Sequence, residues 1–158
     1  MESGRGSAAA WLAVCGEQRS PPDRNAPGVD LIALPNGLPS VSDSSSCRVI
    51  FDGVLYDRAA LRAQVGEDAA DEPSDAELIG HAYRRWGEDA VARLEGIFAL
   101  IIADQARGLL LCARDPFGIR PLFYAAVGAR LLLSPSIDTL LAHADVSNEI
   151  NSIVTDHL

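Results

Sequence analysis

Gly96-Ile97-Phe98-Ala99-Leu100-Ile101-Ile102-Ala103-Asp104 is the stretch that decides the fold. Residues 97–103 are apolar on both faces, few in number and rich in isoleucine, which is the pattern of a strand covered on both sides. Residues 105–108 form a polar turn, and Leu109-Leu110-Leu111-Cys112-Ala113 returns as the second strand of a hairpin. Arg114-Asp115-Pro116-Phe117-Gly118-Ile119-Arg120-Pro121-Leu122 follows, a loop stiffened by its prolines and turned by its glycine. A third strand over 123–127 turns through Gly128-Ala129-Arg130 into a fourth over 131–134. Four buried strands in succession require a layer on each side.

Upstream, Ala8-Ala9-Ala10-Trp11-Leu12-Ala13-Val14-Cys15 reads as a first strand stopped by Gly16, behind a disordered start over 1–7. Residues 17–28 hold prolines without apolar periodicity and read as a loop. Residues 29–34 read as a strand ended by the turn Pro35-Asn36-Gly37. A polar stretch over 40–46 precedes Arg48-Val49-Ile50-Phe51, a buried strand expected to end at Asp52-Gly53. Residues 57–65 put Leu61 and Val65 at helical spacing before Gly66, and 67–73 form an acidic loop. Ser74-Asp75-Ala76-Glu77 has the capping-box sequence. Ile79, Ala82, Tyr83 and Trp86 then share a helical face that Gly87 terminates. Short helices are expected over 89–94, over 136–143 with Ile137, Leu140 and Leu141 on one face, and over 150–158.

A chain of 158 residues with 48% hydrophobic content is one domain able to bury a core. A net charge of −9 argues against nucleic acid and against an anionic membrane surface, which demand clustered Lys and Arg. No stretch approaches the roughly 20 apolar residues of a membrane span, and residues 8–15 make a poor signal peptide. Cys15, Cys47 and Cys112 lack metal-ligand spacing and are odd in number, so neither a metal centre nor a disulfide framework is expected. A reduced, cytoplasmic location is the expectation.

The run "RLEGIFALIIAD…LLLCARDPFGIRPLFYA", with "FDGVLYDRAALR" and "SDAELIGHAYRRWGED" before it in the same order, resembles the class II glutamine amidotransferase domain. That domain is the amino-terminal half of asparagine synthetase and its relatives. The resemblance runs from about Val49 onward and is poor over 1–48. It implies an α+β, N-terminal-nucleophile (Ntn) hydrolase fold: a four-layer αββα sandwich with mainly antiparallel sheets. It places the domain over 8–147 and the start of a linker to a synthetase domain over 148–158.

The chemistry of such a glutaminase sets a demanding specification. A cysteine at the mature amino terminus attacks, and its own α-amine, with a pKa near 8, serves as base. Residue 2 is Glu2, so Cys15 is the one nucleophile on offer, and only after loss of residues 1–14; otherwise it is a small core residue. Where the resemblance expects Phe-Asn-Gly-Glu, this chain has Phe51-Asp52-Gly53-Val54. An asparagine would donate to the oxyanion, whereas an ionised Asp52 only accepts and repels it. Val54 cannot hold the substrate ammonium group. Asp75 matches an aspartate that contacts that group, although an acid in the first helical turn is also favoured by the helix dipole. Asp52, Gly53 and Asp75 are thus the expected remnant of a glutamine pocket. Arg114, Asp115 and Gly118 are expected to brace a loop, with Arg114 and Asp115 as an ion pair. His81, His143 and His157 have no partners at ligand spacing.

These departures point to a shell without its chemistry. The cysteine-less versions in lasso-peptide cyclases and β-lactam synthetases are similar in this respect, and "FDG" tilts the reading toward the former. The expected role is as structural partner of an ATP-dependent asparagine synthetase-like domain or subunit, which would handle a peptide or amino-acid substrate. ATP and magnesium are implied for that partner alone, since the chain has no Ser-Gly-Gly-x-Asp-Ser loop and stops where a synthetase half would begin. A homodimer is a further expectation to test. Two alternatives stand beside this one: an active glutaminase with Cys15 unmasked, and a small-molecule-binding module in the vacated pocket.

Overall fold

The computed structural model describes residues 11–17, 27–32, 39–44, 46–66 and 72–146. The readings for 1–10, for the 35–37 turn, for most of the acidic loop and for 147–158 lie outside the described residues. Among the described residues, eight strands build two four-stranded antiparallel sheets. One sheet has β1 (Leu12–Glu17), β2 (Pro27–Ile32), β7 (Phe123–Val127) and β8 (Arg130–Ser134) in the order β2-β1-β8-β7. The other has β3 (Ser40–Asp43), β4 (Cys47–Leu55), β5 (Gly96–Asp104) and β6 (Leu109–Arg114) in the order β3-β4-β5-β6.

Three apolar layers show how these sheets stack. Val49, Phe51, Phe98, Leu100 and Ile102 point from β4 and β5 toward α1 (Arg58–Val65) and α2 (Asp75–Trp86), meeting Leu61, Leu78, Ile79 and Tyr83. Ile50, Ala99, Ile101 and Ala103, the alternate residues of the same strands, pack on Trp11, Ala13, Cys15 and Leu133 of the other sheet. Leu12 and Leu132 then meet Leu140 of α3 (Ile137–Leu141). The order helix, sheet, sheet, helix is the αββα sandwich. Strand β5 is buried on both faces because, like β4 beside it, it lies between the helical layer on one side and the other sheet on the other. Each of its fully buried Leu or Ile side chains contributes about 1.5–3 kcal/mol.

The helix ends follow their local chemistry. Asp57 caps α1 by accepting from the Ala60 N–H, and Gly66 closes it in the left-handed region at φ 73°. The capping box of α2 is complete, with Glu77 N–H donating to Ser74 Oγ and Ser74 N–H to Glu77 Oε2 at 2.7 Å.

Several expectations are corrected. The first strand runs to Glu17, so Gly16 does not stop it and Cys15 lies inside it. The polar stretch 40–46 holds a strand, β3, whose Ser and Asp side chains suit a sheet edge. Strand β4 continues through Asp52 and Gly53 to Leu55. Gly53 is no turn glycine: a Cβ there would lie 2.1 Å from the Ile97 carbonyl oxygen, so the close approach of β5 requires its absence. The segment after α2 is a 3-10 turn over Gly87–Arg93. The four consecutive strands are not all buried: β6 and β7 are edges of different sheets, and β7 is largely exposed. In α3 only Leu140 is buried, while Ile137 and Leu141 face solvent.

Candidate functional site

The loop between β6 and β7 is organised by Asp115. This residue is 2% exposed, and its carboxylate accepts backbone N–H groups from Phe117 at 3.1 Å, Ile119 at 3.0 Å and Arg120 at 3.0 Å. Its own N–H donates to the Phe98 carbonyl at 2.9 Å, which ties the loop to β5. Burial raises the Asp115 carboxyl, but the N–H groups of Arg120, Ile119 and their neighbours outweigh it and hold the group below the usual carboxylate range. The expected Arg114–Asp115 ion pair is absent among the described residues. Adjacent residues at a strand end diverge, so Asp115 turns inward while the exposed Arg114 lies over Gly118. Gly118, at φ 64°, has the left-handed backbone that the turn needs.

The loop delivers Arg120 to Asp52, placing a guanidinium nitrogen 3.5 Å from the carboxylate. On the other oxygen of Asp52, the Trp11 indole N–H donates at 2.8 Å. Trp11 is 2% exposed and stands immediately before β1, with its carbonyl accepting from the Ser134 hydroxyl at 2.8 Å. Two distant segments thus converge on Asp52, and its side chain is mostly shielded (19% exposed). Two of the participants, Trp11 and Arg120, were not singled out from the sequence. The usable signal was the aspartate itself: a carboxylate at the edge of a core needs donors, and an indole and a guanidinium are side chains that can only donate.

The other candidates sit elsewhere. Cys15 is buried in the middle of β1, paired with Val29 on one side and Leu131 on the other. Asp75, in the first turn of α2, is ion-paired with Arg58 of α1, whose other nitrogen donates to the Pro73 carbonyl. Asp52 and Asp75 therefore each have a basic partner of their own. Tyr83 and Asp104 form a second buried polar pair, hydroxyl to carboxylate at 3.0 Å. Burial and then that carboxylate push the tyrosine up. Among the described residues no three His, Cys, Asp or Glu side chains are placed to hold a metal ion, and no helix is long and apolar enough to cross a membrane.

A family model described as a glutamine amidotransferase domain matches residues 31–158. The chain belongs to this glutamine amidotransferase family. It is of the asparagine synthetase type. The glutamine-hydrolysing asparagine synthetase 3 of Bacillus subtilis is 36% identical over 105 residues, which are 65% of this chain and 17% of that protein. A putative glutamine-hydrolysing asparagine synthetase of Mycobacterium tuberculosis is 42% identical over 81 residues, 49% of this chain and 12% of its own length. The chain thus spans about one sixth or less of these relatives. Among solved structures, the glutamine phosphoribosylpyrophosphate amidotransferase of B. subtilis superposes with a TM-score of 0.51 at 14% identity, over 79% of this chain and 35% of its own. A second, an allosteric regulatory enzyme of purine biosynthesis, gives 0.52 at 16% identity over 80% and 36%. Both show the amidotransferase fold, an antiparallel sandwich of the Ntn-hydrolase kind.

Proposed function

We propose that this amidotransferase domain does not hydrolyse glutamine and serves as the structural partner of an ATP-dependent, amide-forming synthetase unit, of the kind found in lasso-peptide cyclases. The observation that carries this reading is the Trp11–Asp52–Arg120 cluster. By the resemblance, the nucleophile opens the first strand and the oxyanion donor follows the phenylalanine of β4. Here the first place holds a buried indole and the second a carboxylate. A tetrahedral intermediate formed beside Asp52 would meet a negative charge whose two donors are already engaged. Loss of one oxyanion donor alone raises a barrier by about 2.7–4 kcal/mol.

Cys15 supports the same reading. With residues 1–14 in place its nitrogen is a peptide amide with no basicity, so the thiol has no α-amine base. Starting the chain at Cys15 would remove Trp11, Leu12 and Ala13 from the core and delete half of β1. Asp75, already neutralised by Arg58, is a poor acceptor for a substrate ammonium group. In this reading ATP and magnesium act in the partner, and the relatives' names, asparagine synthetases several times longer than the match, fit a domain that works beside a synthetase.

The test is a glutamine turnover assay with intact mass determined on the same sample. The expected result is a mass that retains Trp11 and no ammonia release above that of a Cys15→Ala variant. Turnover that disappears in Cys15→Ala would overturn the proposal.

A further inference from the structure

We propose that the segment from Phe117 to Tyr124 is the face on which the synthetase unit docks, with Phe117 and Ile119 as its anchors; this rests on the partner role proposed above. Both sheets end on this side, one at β6 and the other at β7, and the Asp115 loop joins the two edges. Within eight residues of chain, Phe117 is 87% exposed, Ile119 58%, Tyr124 72% and Phe123 36%. Single exposed apolar residues are ordinary, but a run of them is the mark of an interaction surface. The loop that carries them is also rigid. Asp115 fixes the backbone of both Phe117 and Ile119, and Gly118 N–H closes the turn on the Asp115 carbonyl at 2.9 Å. Preorganised apolar side chains lose little freedom on association, so they serve as anchors.

Charge selects the occupant. The chain carries −9 overall, yet the exposed charges at this segment are Arg114 just before it and Arg120 within it, the latter half-exposed and paired with Asp52, because Asp115 is buried against its own backbone. A twofold contact with a second copy would set these arginines near their own duplicates and bring together two bodies of charge −9. A larger partner with an acidic rim around an apolar pocket has neither conflict. The synthetase unit is the partner of that size: the match to the B. subtilis asparagine synthetase covers 17% of that protein, so most of such an assembly lies outside this domain.

The test places the photo-crosslinking residue benzoylphenylalanine at position 117 of the full chain in the cells from which it derives, with position 41 as control. Val41 is exposed on β3, the opposite edge of the same sheet. The expected result is a crosslink from 117, and none from 41, to a protein whose sequence carries an ATP-dependent synthetase domain. Phe117→Ser with Ile119→Ser should then weaken binding of that protein by about thirtyfold or more, with circular dichroism unchanged. A crosslink to the synthetase from 41 alone would leave the partner role standing and overturn the docking face. Crosslinks only to a second copy, or none, would overturn the docking face outright. Glutamine turnover by a chain that still crosslinks through 117 would refute the non-catalytic reading and support the face.

Discussion

Two regions of this domain are each built around an aspartate, and they solve the same problem differently. Asp115 is satisfied by three backbone N–H groups of its own loop, so its partners come with the chain direction and need no particular side chains. Asp52 is satisfied by an indole from before β1 and a guanidinium from beyond β6, so its partners depend on two side-chain identities far apart in sequence. The first arrangement is local to one loop, and the second joins segments far apart in the chain. The contrast teaches where substitution should be structural and where it should be nearly silent.

Trp11→Ala offers the sharpest break, removing a fully buried indole between the sheets as well as the donor to Asp52; urea denaturation should show a loss of about 3–5 kcal/mol. Trp11→Phe, which keeps most of the volume and drops the N–H, should cost clearly less. Asp115→Asn comes next. The folded carboxyl lies below its unfolded value of about 3.9, so its contribution is complete above that value and fades as pH falls through the lowered one. Wild type should therefore melt higher than Asp115→Asn at neutral pH, and the two Tm curves should converge below about pH 4.

Asp52→Asn keeps an acceptor for the indole and removes only the half-exposed pairing with Arg120. Its expected cost is about 1 kcal/mol or less, and the asparagine should yield no glutaminase activity while Trp11 and a buried Cys15 remain. Smallest of all, Phe117→Ser should leave stability within about 0.5 kcal/mol of wild type in thermal melts, because the ring touches solvent rather than core. A large loss there would place Phe117 in the fold and dissolve the contrast between loop and surface.

Much of the sandwich was legible because it rests on local patterns. The isoleucine run of β5, the capping box at Ser74 and the glycine after α1 each specify their element from a few neighbouring residues. The errors fell where distant partners decide. Gly53 looks like a strand end until the approach of β5 explains it, and β3 looks like a linker until β4 supplies its hydrogen bonds. The resemblance brought Asp52, Gly53 and Asp75 to notice as a remnant pocket, yet residue types alone could not say that Asp75 would pair with Arg58 or that Asp52 would meet Trp11. Arg120 escaped notice because its role depends on the loop geometry that Asp115 imposes.

The strand order has a consequence for how the molecule comes into being. The sheet under α2 draws its strands from one continuous span, Ser40 to Arg114, so it can assemble while later residues are still being synthesised. The other sheet cannot, because β1 lies between β2 and β8 and pairs Ala13 with Leu133 across most of the chain. Closing so long a loop is slow and comes late. Until residue 134 has left the ribosome, the nascent chain must carry the backbone of Ala13, Val14 and Cys15 without the strand that will pair with it on that side.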